Sequence, residues 1–263
     1  MGPEVRGLLE CSETGSSTAT LRPMPRPQKP AQGSGSPRAS MTIRAVVFDM
    51  DGVIADSVPF HLEAECATLR RFGLDLGHEE VDRYSGDTLY WKFERIIEDF
   101  GVNASVAEMA AAHFEHSYPH VQRNTVAMPG VIELIRDLHA RGLALGVASG
   151  SPERYVAFVL ERFGVRPLFG SVLTADDVAR GKPDPESYLR SAENLGCEPA
   201  ACIAIEDSAK GVEAAKRAGM ICLALRNPNS GPQDLSRADV VFDAYAALAR
   251  IPGLRREVAP RRT

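Results

Sequence analysis

Apolar and polar positions follow two alternating rhythms through the second half of the chain. Between Val131 and Arg141 apolar residues recur at helical spacing and stop at Gly142, a residue suited to the left-handed end of a helix. Ala144-Leu145-Gly146-Val147-Ala148 is then a short continuous apolar run, the pattern of a strand buried on both faces. Ser151-Pro152 predicts an N-cap with proline at the first helical position, and that helix stops near Gly164. Ser171–Thr174 predicts a short strand, Asp184-Pro185 a second capped helix ending at Gly196, and Cys202–Ile205 a further strand. Ser208 to Ala218 predicts a helix closed by Gly219, and Ile221–Leu225 and Val240–Phe242 complete the series. Such alternation implies an α/β protein with a parallel sheet covered by helices on both faces.

The first strand of that sheet stands earlier. Ile43-Arg44-Ala45-Val46-Val47-Phe48 is β-branched and apolar, and it runs into Asp49-Met50-Asp51-Gly52-Val53. From about Ser57 to Thr125 the pattern is helical, without a convincing buried strand. A segment inserted there stands over the carboxyl end of the first strand, so it is expected to be a helical cap. The predicted organisation is a core formed by residues 41–56 and 126–248, with a cap over 57–125.

The two ends differ in kind. Residues 1–40 hold six prolines, five glycines and six serines with scattered apolar residues, a composition that predicts a disordered extension. Met41 opens the strand region directly, so this extension reads as a leader or a misassigned start in preference to a targeting segment. Residues 249–263 predict a solvated basic tail, with five arginines from Arg250 onward. Within 263 residues, an apolar fraction of 44% supports a substantial core. A net charge of −5 argues against general nucleic-acid binding. Cys11, Cys66, Cys197, Cys202 and Cys222 are odd in number and form no C-x-x-C pair, which fits buried thiols in a reducing compartment. No apolar run approaches the ~18 residues of a membrane helix, and no signal-peptide core is present. The expectation is a cytoplasmic protein, monomeric, without membrane or nucleic-acid partners.

Chemistry concentrates at predicted strand ends, where open α/β sheets place their sites. Asp49 and Asp51 lie two positions apart, and Gly52 permits a sharp exit from the strand. Like charges so close call for a cation, and hard divalent ions such as magnesium favour carboxylate and carbonyl oxygens. Ser149-Gly150-Ser151 offers a hydroxyl and turn amides to a phosphate. Lys182, between Gly181 and Pro183-Asp184-Pro185, is a point charge suited to a phosphoryl group. Glu206-Asp207-Ser208 adds oxygen ligands after the Cys202–Ile205 strand. Each signal alone is weak; their order along one alternating sheet is what gives them weight.

These residues resemble the haloacid dehalogenase superfamily over residues 43 to about 243. Asp49-Met50-Asp51-Gly52 is similar to its first motif, Ser149 to its second, Lys182 in Lys-Pro to its third, and Glu206-Asp207 to its fourth. The resemblance implies a Rossmann-like, doubly wound parallel sheet with a small inserted helical cap. It implies a phosphatase acting on a small phosphorylated metabolite, a sugar phosphate being the expectation, through an aspartyl-phosphate. In that reading Asp49 is the nucleophile and Asp51 the general acid and base. Mg²⁺ is held by Asp49, the Asp51 carbonyl and Asp207, with Glu206 either a direct ligand or one step behind. Ser149, Gly150 and Lys182 bind the phosphoryl oxygens. Dehalogenases of the superfamily lack an aspartate at the position of Asp51, because a departing halide needs no proton.

A β-phosphoglucomutase-type mutase is the alternative, and an idle binding module a more distant one that intact Asp49, Asp51 and Lys182 oppose. His61 is similar to a mutase histidine coupling the cap to the acid/base aspartate, or else it faces water at the hinge. The mutase Lys-Gly-x-x-Arg element is replaced by Ser85-Gly86-Asp87-Thr88-Leu89, and Lys92 or Arg95 one turn later are candidate substitutes. His113, His116 and His120 are expected on a solvated helix face, and Tyr84, Tyr90 and Trp91 in cap packing.

Overall fold

The computed structural model describes residues 42–84 and 89–250. The expected extension over residues 1–40, the 85–88 stretch and the basic tail beyond residue 250 lie outside the described residues. Six strands form one parallel sheet: β1 (Ala45–Phe48), β2 (Ala144–Ala148), β3 (Ser171–Leu173), β4 (Cys202–Glu206), β5 (Ile221–Leu225) and β6 (Val240–Phe242). Their spatial order is β3-β2-β1-β4-β5-β6. The chain therefore winds outward from β1 through β2 to β3, then returns to the other side of β1 with β4. That reversal beside β1 is where a doubly wound sheet leaves a crevice at its carboxyl edge.

The two faces of the sheet differ in side-chain volume. Val46, Phe48, Leu145, Val147, Ile203, Ile205, Leu223 and Leu225 face α5 (Val131–Ala140) and α6 (Glu153–Arg162) in one apolar cluster. Ala45, Val47, Ala148, Cys202, Ala204, Cys222 and Ala224 face α7 (Glu186–Asn194) and α8 (Ala209–Arg217) in another. Small residues bring these last two helices close: a Cβ on Gly146 would come within 2.4 Å of Ser191 Oγ.

Helix starts deviate from the sequence patterns in one instructive place. Ser151 does not cap α6. The Glu153 N–H is instead accepted by Asp176 at 2.9 Å, from the loop after β3, and the Ser151 hydroxyl is turned elsewhere. Ser208 does cap α8, its Oγ accepting from Gly211 N–H at 3.1 Å. β1 begins at Ala45, two residues later than the apolar run, although Arg44 still bonds Ala201 and Ala144.

Between β1 and α5 the described residues form four helices: α1 (Val58–Arg71), α2 (His78–Asp82), α3 (Leu89–Phe100) and α4 (Val106–Asn124). They bury a separate apolar cluster around Leu69, Phe93, Ile96 and Met109. Two connecting segments join them to the sheet side by side. Asp56 N–H donates to Val126 O at 3.0 Å and Met128 N–H to Ile54 O at 2.9 Å. No helix among the described residues is long and apolar enough to cross a membrane.

Candidate active site

Asp49 leaves the end of β1 with its N–H still bonded to Ile205 O, so the strand ladder fixes where the carboxylate points. The chain then turns at Gly52, whose φ of 82° is the left-handed conformation glycine tolerates. Space demands glycine as well: a Cβ there would meet Asp207 Oδ2 at 2.0 Å. Asn227 closes the turn, its Nδ2 donating to Gly52 O at 3.1 Å.

Lys182 bridges the two acidic strand ends. Its Nζ lies 2.5 Å from Asp49 Oδ1 and also donates to Glu206 Oε1. Burial works against the Lys182 charge, but Asp49 and Glu206 outweigh it and raise its pKa. Glu206 is fully buried, and its oxygens are taken. Tyr188 OH donates to Oε1 at 2.6 Å, while Asp207 N–H and Ser208 Oγ, each at 3.1 Å, donate to Oε2. Asp207 accepts from Ser230 Oγ, and burial together with Glu206 pushes its carboxyl up to about 7. Asp49 is pushed up too, by burial and by Glu206, Asp207 and Asp51, against the pull of Lys182. Asp49, Glu206 and Asp207 each offer an oxygen within 4.8 Å of the others, the spacing and donor type of a hard-cation site.

Asp51 is surrounded by donors. Ser57 Oγ at 2.5 Å, Tyr155 OH at 3.0 Å and His61 Nε2 at 3.1 Å meet Oδ1, and Ser151 Oγ meets Oδ2 at 2.6 Å. Burial would raise its pKa, yet the His61 ring and the serine hydroxyls lower it to about 2. His61 is raised in turn by Asp51, against its own burial. Of the two expectations for His61, water-facing hinge or contact with the acid/base aspartate, the geometry has the contact. Ser149 is buried behind the β2 turn, its Oγ accepting from Ser151 N–H at 3.0 Å.

A cavity of about 600 Å³ lies between the sheet's carboxyl edge and the helical segment. Asp49, Asp51, Gly150, Lys182 and Asp207 line it from the sheet, and His61, Glu65, Lys92 and His113 from the helices. Ser149 opens instead into an adjoining space of about 210 Å³ that shares Gly150 and Lys182 with the larger one. Glu206 reaches neither. Lys92 is buried and paired with Glu65, its Nζ 2.7 Å from both carboxylate oxygens.

Two expectations need correction. His113 does not face solvent; it is buried, stacked on His61 with ring centroids 5.8 Å apart, because the α4 face it occupies packs against α1. Tyr90 and Trp91 are not cap packing: Trp91 is 54% exposed, and both line the smaller cavity at the start of α3. Arg95 is exposed and does not line the main cavity. Sequence patterns also passed over Ser57, Tyr155, Tyr188, Ser230 and Glu65. A tyrosine on a buried helix face signals that its hydroxyl needs a partner. It does not say which carboxylate, decades of residues away, will supply one.

The haloacid dehalogenase-like hydrolase family matches residues 43–219. Validoxylamine A 7'-phosphate phosphatase of Streptomyces hygroscopicus subsp. limoneus is 31% identical over 199 residues, 76% of this chain and 92% of that protein. Hexitol phosphatase B of Escherichia coli is 30% identical over 193 residues, 72% of this chain and 86% of that protein. The fold is similar to that of CbbY from Rhodobacter sphaeroides, solved in complex with xylulose-(1,5)-bisphosphate. That likeness has a TM-score of 0.74 and 26% identity, over 81% of this chain and 99% of the other. The chain belongs to the haloacid dehalogenase-like hydrolases, among relatives named as phosphatases.

Proposed function

We propose that the protein is a magnesium-dependent phosphatase acting on a small phosphorylated metabolite, a sugar or polyol phosphate, through an aspartyl-phosphate. The observation that carries this reading is Asp49. It is buried at the floor of the cavity, its Oδ1 is held by Lys182, and Asp51 stands two residues away at the same strand end. The donor set fits a divalent cation, since three buried carboxylates cluster together and Lys182 pairs with two of them. Asp49, Asp207 and the Asp51 carbonyl would hold it. When bound, it supplies charge neutralisation for the nucleophile and the phosphoryl oxygens. Glu206, with both oxygens occupied by protein donors, acts behind Lys182 as its positioning partner and not as a ligand.

Asp49 attacks phosphorus, and the alcohol leaves with a proton from Asp51. As placed, Asp51 is an acceptor for four donors, a form suited to activating water for the second step. To act first as an acid it must release those donors, and an approaching phosphate dianion favours its protonation. Lys182, Ser149 and the Gly150 backbone offset the charge on the transferring oxygens. The helical segment serves as the cap, with Ser57 and His61 linking its first helix to Asp51.

The second reading is a phosphosugar mutase, which the His61–Asp51 contact favours. Against it, Lys92 is taken up by Glu65, so it does not replace the mutase arginine. Phosphate release from a panel of sugar phosphates, polyol phosphates and phosphoglycolate tests the choice, with magnesium and with Asp49→Asn alongside. Release that disappears in the variant supports the phosphatase. Interconversion of β-glucose 1-phosphate and glucose 6-phosphate without release would move the answer to the mutase.

A further inference from the structure

Two ion pairs bracket the cavity. At the sheet end Lys182 pairs with Asp49 and Glu206, and one of its three donors remains for a phosphoryl group. At the helical end Lys92 of α3 and Glu65 of α1 face each other, with their side chains 7% and 8% exposed. Lys92 and Lys182 are the lysines among the described residues lining the cavity, and no arginine joins them. Residues 85–88, Ser-Gly-Asp-Thr, carry no cation to add. The buried ion pair at the helical end therefore sums to zero, and the other charged or ionisable residues that the helices bring to the cavity are His61, His113 and the exposed His78 and Glu79 of α2.

We infer that Glu65 is a specificity-determining residue: it masks Lys92, so the cavity accepts a neutral, hydroxyl-bearing leaving group and rejects a second phosphate. This inference rests on the phosphatase reading and concerns the part of the substrate that departs. The chemistry of the pair matches an alcohol. An ammonium has three donors, of which Glu65 takes two, so one remains for a hydroxyl oxygen. Each carboxylate oxygen keeps a lone pair that accepts from a hydroxyl proton. A hydroxyl offers both a donor and an acceptor, and both are met. A phosphate offers acceptors alone, meets a single free donor, and lies against a carboxylate in a low-dielectric wall where like charges repel strongly.

The neighbouring rings reinforce the selection. His61 is engaged with Asp51 and Tyr155, and burial, with His61 and Lys92 nearby, holds His113 well below the ordinary imidazole value. Neither ring supplies a free cation for a second anion. Removal of the Glu65 charge alone exposes Lys92 as an anion receptor already in place on the cavity wall.

Fructose 6-phosphate and fructose 1,6-bisphosphate form a matched pair differing by the second phosphate. Binding is measured calorimetrically with magnesium in the Asp49→Asn background, which blocks turnover, with and without Glu65→Gln. The background protein is expected to prefer the monophosphate by at least about tenfold, and Glu65→Gln to narrow or reverse that preference by a similar factor. Where Glu65→Gln alone melts too low to assay, Glu65→Gln/Lys92→Gln keeps the shape without the charges, and the preference is expected to shrink there too. An unchanged ratio in a folded variant overturns the inference, as does equal affinity, or no affinity, for both compounds in the background protein. Phosphate release by the unmodified enzyme from the same panel of sugar phosphates, polyol phosphates and phosphoglycolate is followed separately. Its absence counts against the phosphatase reading, while the binding ratio still decides the role of Glu65.

Discussion

Lys182 Nζ rests on Glu206 Oε1, and Glu206 has no exposed surface. One carboxylate at the end of β4 thus orients the ammonium that touches Asp49, while Tyr188, Ser208 and the Asp207 N–H hold that carboxylate still. Removing Glu206 would leave Lys182 paired with Asp49 alone, and would leave the buried Tyr188 hydroxyl and the Asp207 N–H without their acceptor.

Glu206→Ala is accordingly expected to lower stability by about 1–3 kcal/mol, read from urea denaturation. Glu206→Gln should lose less, since its amide oxygen still accepts, yet its KM should rise as Lys182 loses orientation. Equal stability for Glu206→Ala and the unmodified protein would overturn this account.

Gly52→Ala tests the turn. The left-handed backbone costs ~1–2 kcal/mol for any residue with a Cβ, and Asp207 Oδ2 stands 2.0 Å from where that Cβ would go. Gly73, with φ 85° and nothing within 4 Å, carries the backbone cost alone. Gly52→Ala should therefore lose activity at least about tenfold while Gly73→Ala keeps it, though both lower the melting temperature. Matching activities in the two variants would place Asp207 outside the site.

His113 gives the protein an acid-side weakness. Burial, with His61, Lys92 and His116 around it and Asp51 opposing, holds its pKa well below the ordinary 6.5. The unfolded chain takes up this proton near that ordinary value, the folded protein only at lower pH. Stability from neutral His113 is thus present above about 6.5 and lost as pH falls toward the folded value. His113→Phe also removes an Nδ1 that has no hydrogen-bond partner among the described residues. Its melting temperature should fall less than that of the unmodified protein between pH 7 and pH 5, and parallel curves would remove His113 from the explanation.

Magnesium should raise the melting temperature of the unmodified protein, by about 2.7 kcal/mol equivalent at one hundred times its dissociation constant. Asp207→Asn should abolish most of that gain, and chelation should stop phosphate release. A full magnesium response in Asp207→Asn would place the ion elsewhere.

Much of the site is legible along the chain because its parts sit at strand ends. A buried parallel strand is a short apolar run, and whatever follows it emerges at the sheet's carboxyl edge. Asp49, Ser149 and Glu206-Asp207 could therefore be assigned to one edge before any contact was known. The Asp51 surroundings were less legible. His61 stood out by type and position, but Ser57 before α1 and Tyr155 on α6 are ordinary residues for their places, and Ser151 looked like an N-cap until Asp176 took that task. His113 of α4 was misplaced because periodicity alone does not tell which face of an amphipathic helix meets a neighbouring helix.

The sequence by itself determined the alternating α/β plan, the inserted helices and the acidic strand ends, because these follow from short continuous apolar runs, helical periodicity of 3.6 and turn chemistry. Only the tertiary structure decided pairings between distant segments. It set Lys182 between Asp49 and Glu206, gave Asp51 its four donors, and closed Glu65 onto Lys92. Those contacts join residues from 6 to 133 positions apart, and their geometry exists only once the sheet and the helical segment have packed.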